Sequence, residues 1–114
     1  MTNRQAISAE IEPYGLSDDS LEKAFIDACD HFGTEAQIDG EYSASVKQSV
    51  LVAAMYCLNR LRVLVSENIG GISQNFDVKK LEKRIAALAS QAGVSPDMVL
   101  ADSDSASITY MPIW

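Results

Sequence analysis

Apolar residues recur along most of this chain at intervals of three and four, the spacing that lines up one face of a helix. Thr2 and Gln5 stand at capping-box spacing and predict a short helix from about Asn3 to Ile11, ended by Pro13 and Gly15. Ser17, Asp18 and Asp19 are candidate caps for a second helix. Its Leu21, Phe25, Ala28 and Phe32 form one apolar stripe, and Gly33 is a natural stop. Residues 34–43 are polar and hold Asp39-Gly40, a turn signal.

Ser45 and Gln48 repeat the capping-box spacing, and 46–68 then reads as one helix of about six turns. Val46, Val50, Ala53, Cys57, Leu61 and Leu64 share a face. Leu51, Met55, Leu58 and Val65 widen that face until little polar surface is left between 50 and 58. A helix apolar nearly all round belongs at the centre of a bundle or at an interface. Gly70-Gly71 breaks the pattern, leaving 69–76 as a loop or half of a small hairpin. Asp77 starts the next helix, with Val78, Leu81, Ile85, Leu88 and Ala92 inward and Lys79, Lys80, Lys83 and Arg84 outward. Gly93 and Val94 have the pattern of a left-handed helix cap, and Ser95-Pro96 opens a last short helix. The fold class that follows is all-α. A small bundle of about four to five helices surrounds a long central apolar helix, with 1–101 as a single helical domain and 102–114 as an extended C-terminal tail.

A chain of 114 residues supports one domain with a single core. No apolar run approaches the roughly 20 residues needed to cross a bilayer, and the N-terminus lacks the apolar stretch of a secretory signal. Cytoplasmic synthesis is the expectation, and Cys29 and Cys57 are predicted as buried, reduced thiols. The net charge of −7 opposes general nucleic-acid binding, which draws on neutralised phosphates. Its distribution is uneven. Three bases face ten acids in 1–58, a balance of −7, whereas six bases face three acids in 59–92, a balance of +3. An acidic front and a basic middle have the form of complementary surfaces on neighbouring copies; the alternative is two solvated helix faces of one monomer. On the first reading Asp18, Asp19, Arg60, Arg62, Lys79, Lys80, Lys83 and Arg84 are the candidate subunit-interface charges. A direct nucleic-acid contact would use the basic members of the same set.

Catalytic constellations are hard to find. The chain has no nucleophile elbow, phosphate-binding glycine loop, dinucleotide fingerprint or HExxH zinc pattern. His31, the single histidine, follows Cys29 by two residues, which on a helix separates their directions by roughly 200°. That is not a nucleophile–base pair. Near a helix end His31 is better placed to offset the helix dipole. Two cysteines and one histidine do not complete a tetrahedral zinc site, and Asp102 and Asp104 lack further ligands and the calcium-loop glycine. No enzyme activity, metal, cofactor or small-molecule substrate is expected.

Three stretches taken in order carry a resemblance. They are "LSDDSLEKAFIDACDHF" (16–32), "SVKQSVLVAAMYCLNRLRVLVSENIGGIS" (45–73) and "LEKRIAALA" (81–89). An acidic pair opens the first, an Ala-containing long helix ends in Arg and Glu, and a Gly-Ser loop leads to a charged helix. In this arrangement the chain resembles the head–tail connector (adaptor) proteins of tailed bacteriophages, small helical subunits that assemble as a ring beneath the portal. The resemblance implies a non-enzymatic structural protein of a phage or prophage. Its partners would be other copies of itself and a portal or tail-completion (stopper) protein. Its place would be the host cytoplasm during assembly and the virion neck afterwards. A small helical protein-interaction or regulatory module of a bacterial system is the alternative.

The tail "ASITYMPIW" has no counterpart in that family pattern. Ile108 and Tyr110 fall on one side of an extended segment and Thr109 and Met111 on the other, with Ile113 and the only tryptophan, Trp114, at the end. Two roles suit such a segment. It folds back to bury Trp114 in the domain's own core, or Ile108, Tyr110, Met111, Ile113 and Trp114 bind a partner as an added strand or aromatic anchor.

Overall fold

The computed structural model describes the backbone of residues 1–67 and 78–100, and side chains except those of 65–67. The Gly70-Gly71 break, Asp77 as a helix start and the whole tail lie outside the described residues. Within them the chain is mostly helical, with α1 at Asn3–Ile11, α2 at Asp18–Phe32, α3 at Lys47–Glu67 and α4 at Val78–Ala92. A further helical turn occupies 97–100, and the described residues form no strand beyond an isolated bridge between Thr2 and Glu41. The all-α bundle predicted from apolar spacing is what forms.

Local chemistry sets most of the ends. Thr2 accepts from the Gln5 backbone N–H while Gln5 Oε1 accepts from the Thr2 N–H, so α1 opens with a complete capping box. Ser17, rather than either following aspartate, caps α2 by accepting from Ser20 N–H, and Asp18 and Asp19 occupy its first turn. Gly33 closes α2 at φ 67°, with Thr34 N–H on the Cys29 carbonyl at 2.9 Å. Gly93 closes α4 in the same way at φ 76°, with Val94 N–H on the Ala89 carbonyl at 3.0 Å and Val94 packed against the core. Both positions need the left-handed backbone that glycine adopts without a Cβ penalty.

The start of α3 differs from its sequence signal. A 3-10 turn at Ala44–Val46 precedes it, and Ser43 rather than Ser45 stands at the cap position, without a side-chain cap bond. Gln48 does not turn back to close a capping box. Its Nε2 donates instead to the Ala92 carbonyl at 2.6 Å, satisfying one of the orphan acceptors at the end of α4.

α3 packs against α1, α2 and α4, whereas α2 and α4 share no extensive contact with each other. The six residues from Val50 to Met55 are each no more than 1% exposed, so successive turns of α3 are covered on all sides. Phe25, Ile7, Ile11, Leu58, Leu81, Ile85 and Leu88 fill the same core. Leu64, placed inward by periodicity, is 43% exposed. No helix among the described residues is long and apolar enough to cross a membrane.

The polar 34–43 segment is tied to the start of α1. Carbonyls of Gly40 and Ile38 accept from the backbone N–H groups of Asn3 and Arg4 at 2.9 and 2.8 Å. The buried Asn3 side chain donates to the Gln37 carbonyl at 2.8 Å. Orphan donors at a helix start thereby meet orphan acceptors of a loop, and Ile38 enters the core beside them.

Candidate functional site

The groups with nucleophilic or acid–base chemistry are kept apart. Cys29 and Cys57 are free, buried thiols. Burial pushes Cys57 up to about 12, with Arg60 opposing weakly. Burial also raises Cys29, opposed by a hydrogen bond with buried Ser49. Neither thiol is primed as a thiolate. His31 is exposed in the last turn of α2, edge-on to the Phe32 ring at 4.8 Å. The described residues contain no group of three side chains placed to share a metal ion.

Three arginines tie the helices together. The Arg4 guanidinium grips Asp39 with two bonds, Nε to Oδ1 at 2.9 Å and Nη2 to Oδ2 at 3.2 Å. Its remaining nitrogen donates to the Asp18 carbonyl at 3.2 Å and lies 3.6 Å from the Asp18 carboxylate. Arg4 thus joins α1, the start of α2 and the 37–40 turn. Arg62 on α3 donates to Glu82 on α4 at 3.4 Å and to Asn59 at 3.0 Å. Arg84 on α4 reaches the Glu10 carboxylate at 2.9 Å and its carbonyl at 3.2 Å, joining α4 to α1.

The hydrogen bond from Arg4 holds the Asp39 carboxyl below the ordinary aspartate value. A carboxylate depressed on folding stabilises the protein above its unfolded pKa, and that contribution is lost as pH falls through the folded value. Asp39→Asn is therefore expected to lower the melting temperature near neutral pH. The gap to the parent protein should close as pH falls below about 4, where the unfolded-state aspartate begins to protonate. Thermal unfolding followed by circular dichroism checks this; a gap independent of pH would show that the pair contributes through packing alone.

These ties divide the eight charges expected at a subunit interface. Asp18, Arg62 and Arg84 form ion pairs within the chain; Asp19, Arg60, Lys79, Lys80 and Lys83 are exposed, Lys79 and Lys80 with contacts of their own. Arg60 lines a small cleft of about 100 Å³ between α2 and α3, together with Ser20, Lys23, Asp27 and Tyr56. The acidic and basic members do not converge on one site. Asp19 belongs to the outer face of α2 and the three lysines to the outer face of α4. Ile108, Tyr110, Met111, Ile113 and Trp114 lie outside the described residues.

Apolar periodicity did not single out the most exposed apolar side chain on the outer face of α2. Ile26 is 57% exposed, one position past the fully buried Phe25. It shares one helix line with Asp19, Glu22 and Asp30, all exposed. The signal was present in the sequence as an isoleucine about 100° off the apolar stripe.

No curated protein and no solved structure matches the chain. A family model covers residues 1–114, the whole described bundle and the tail together. The chain belongs to that family, a family of unknown function (DUF6706).

Proposed function

We propose that the chain is a structural subunit of a phage or prophage head–tail connector ring, joining the portal to the tail or stopper. The observation that carries the proposal is the order of elements through 16–92. An acid-opened α2, a long α3 and a charged α4 follow one another in the order that gives the sequence its resemblance to connector proteins. Two features support it. Exposed acids, Asp19, Glu22 and Asp30, outnumber exposed bases on α2, whereas exposed Lys79, Lys80 and Lys83 make α4 basic. The helices are fastened to one another by Arg4, Arg62, Arg84 and Gln48, which suits a rigid building block.

The test is co-sedimentation of the purified full chain with portal rings produced from the same genome. The proposal expects the chain to move with the rings in a fixed ratio. A compact small oligomer that ignores the rings would overturn it and favour the regulatory-module reading.

The tail enters here as a partner-binding segment. The variant that tests this is the deletion of 106–114. The deletion is expected to leave the melting temperature within about 2 °C while weakening ring binding at least roughly tenfold. A large loss of thermal stability in the truncated protein would instead place Trp114 in the domain's own core.

A further inference from the structure

A groove of about 410 Å³ lies between the last turns of α2 and the stretch that follows them, with Ile26, Asp30, Glu35, Ala36 and Gln37 in its lining. Residues 34–37 belong to neither a helix nor a turn, and all of them keep the negative φ that a strand has. Their main chain is largely open. Thr34 N–H is used by the end of α2, and the Gln37 carbonyl by Gly40 N–H and Asn3 Nδ2. The N–H groups of Glu35, Ala36 and Gln37 and the carbonyls of Thr34, Glu35 and Ala36 have no partner among the described residues. Such a row of unpaired donors and acceptors is what the edge of a sheet offers to an added strand.

The side chains in the lining narrow the choice of strand. Ile26 is exposed and Ala36 half-buried, which leaves an apolar surface for a partner's side chain. Asp30 and Glu35 are exposed and enter no ion pair among the described residues, and no base lines the groove. Lys23, one turn before Ile26, is held by Asp27 at 2.7 Å and lines the separate cleft against α3. The groove thus carries two carboxylates and no cation. All nine Lys and Arg residues of the chain lie in helices, whose main chain is already paired. The stretches 68–77 and 101–114 carry none. A basic strand therefore has to come from another protein rather than from this chain or a second copy of it.

We propose that the groove takes an extended, basic segment of a different protein, which pairs with the main chain of residues 34–37, rests an apolar side chain on Ile26 and Ala36 and sets a Lys or Arg against Asp30 and Glu35. Main-chain pairing supplies affinity. The two-residue period of a strand sends every second side chain into the groove, which selects apolar and basic residues two positions apart. Acidic strands are refused by the unpaired carboxylates. The inference goes beyond the connector reading and does not depend on it.

A ribosome-displayed library of random heptapeptides, selected on the immobilised full chain, tests it. Enriched sequences are expected to place Lys or Arg two positions from an apolar residue. Two variants, their folding checked by circular dichroism, separate the parts of the contact. Asp30→Lys combined with Glu35→Lys should turn the preference from basic to acidic peptides, a switch that a merely structural role of these side chains would not produce. Ala36→Pro removes an N–H that has no internal partner, and should weaken the best basic peptide at least roughly tenfold. The proposal is overturned by a selection that enriches nothing, by enriched peptides that lack a base, by a preference unmoved by the charge reversal, or by full affinity in the proline variant. A synthetic peptide of residues 101–114 that binds the groove more tightly than the best basic peptide would also overturn it, by giving the site to this chain's own tail. The connector reading fails separately. Portal rings that ignore a chain with the expected peptide preference would sink that reading alone, and portal rings that bind a chain without the preference would sink this one alone.

Discussion

Phe25→Ala is expected to lower the unfolding free energy by about 3–5 kcal/mol. The ring is fully buried on the inward face of α2, in the core shared with α3 and α1. Removing it loses the transfer free energy of the aromatic side chain and leaves a cavity that two helices fastened by the Arg4 contacts cannot easily collapse. Domains of this size have about 5–15 kcal/mol in total, so the fall in melting temperature should be on the order of 15–25 °C. The adjacent substitution supplies the control. Ile26→Ala removes a side chain that is 57% exposed and should change stability by no more than about 0.5 kcal/mol. Chemical denaturation of the pair tests both statements. Equal losses at 25 and 26 would mean that α2 is rotated from the orientation described.

Leu88→Ala carries the second large effect, a loss of about 2–5 kcal/mol. Leu88 is completely buried where α4 lies along α3, the most extensive helix pairing in the fold. It is flanked by two polar ties, Arg84 to Glu10 on one side and Gln48 to the Ala92 carbonyl on the other. These ties hold the helix ends in place, which limits how far α4 can settle into the cavity and keeps the cost high. Ser90→Ala, two residues on and exposed, should stay within about 0.5 kcal/mol. A loss below about 1 kcal/mol for Leu88→Ala would contradict the packing of α4 on α3.

Where a signal and its partner are close in sequence, the fold was legible. The Thr2–Gln5 capping box starts α1, and Gly33 and Gly93 end α2 and α4, because each is completed within three to five residues. Apolar spacing likewise found Leu21, Phe25 and Ala28 on α2, and Leu81, Ile85, Leu88 and Ala92 on α4. Failures arise where the partner is distant. Gln48 had a local role available and takes one 44 residues away, since an unsatisfied carbonyl at the end of α4 lies within its reach. Arg4 and Asp39, 35 residues apart, meet because the Asp39-Gly40 turn folds onto the start of α1. No spacing rule encodes that docking.

The candidate site divides along the same line. That exposed acids outnumber bases on α2 and that α4 is basic could be read from composition along the chain. That Asp18, Arg62 and Arg84 are committed to internal partners could not, because each partner lies on another element. Ile26 was passed over because an apolar residue off the main stripe carries no local sign of what covers it.

Electron microscopy of portal rings incubated with the purified full chain tests the central claim most directly. The connector proposal expects averaged images with a continuous ring of added density on one end of the portal, built from repeated copies of this bundle. Portal rings unchanged by a large excess of folded chain, with or without residues 106–114, would contradict it.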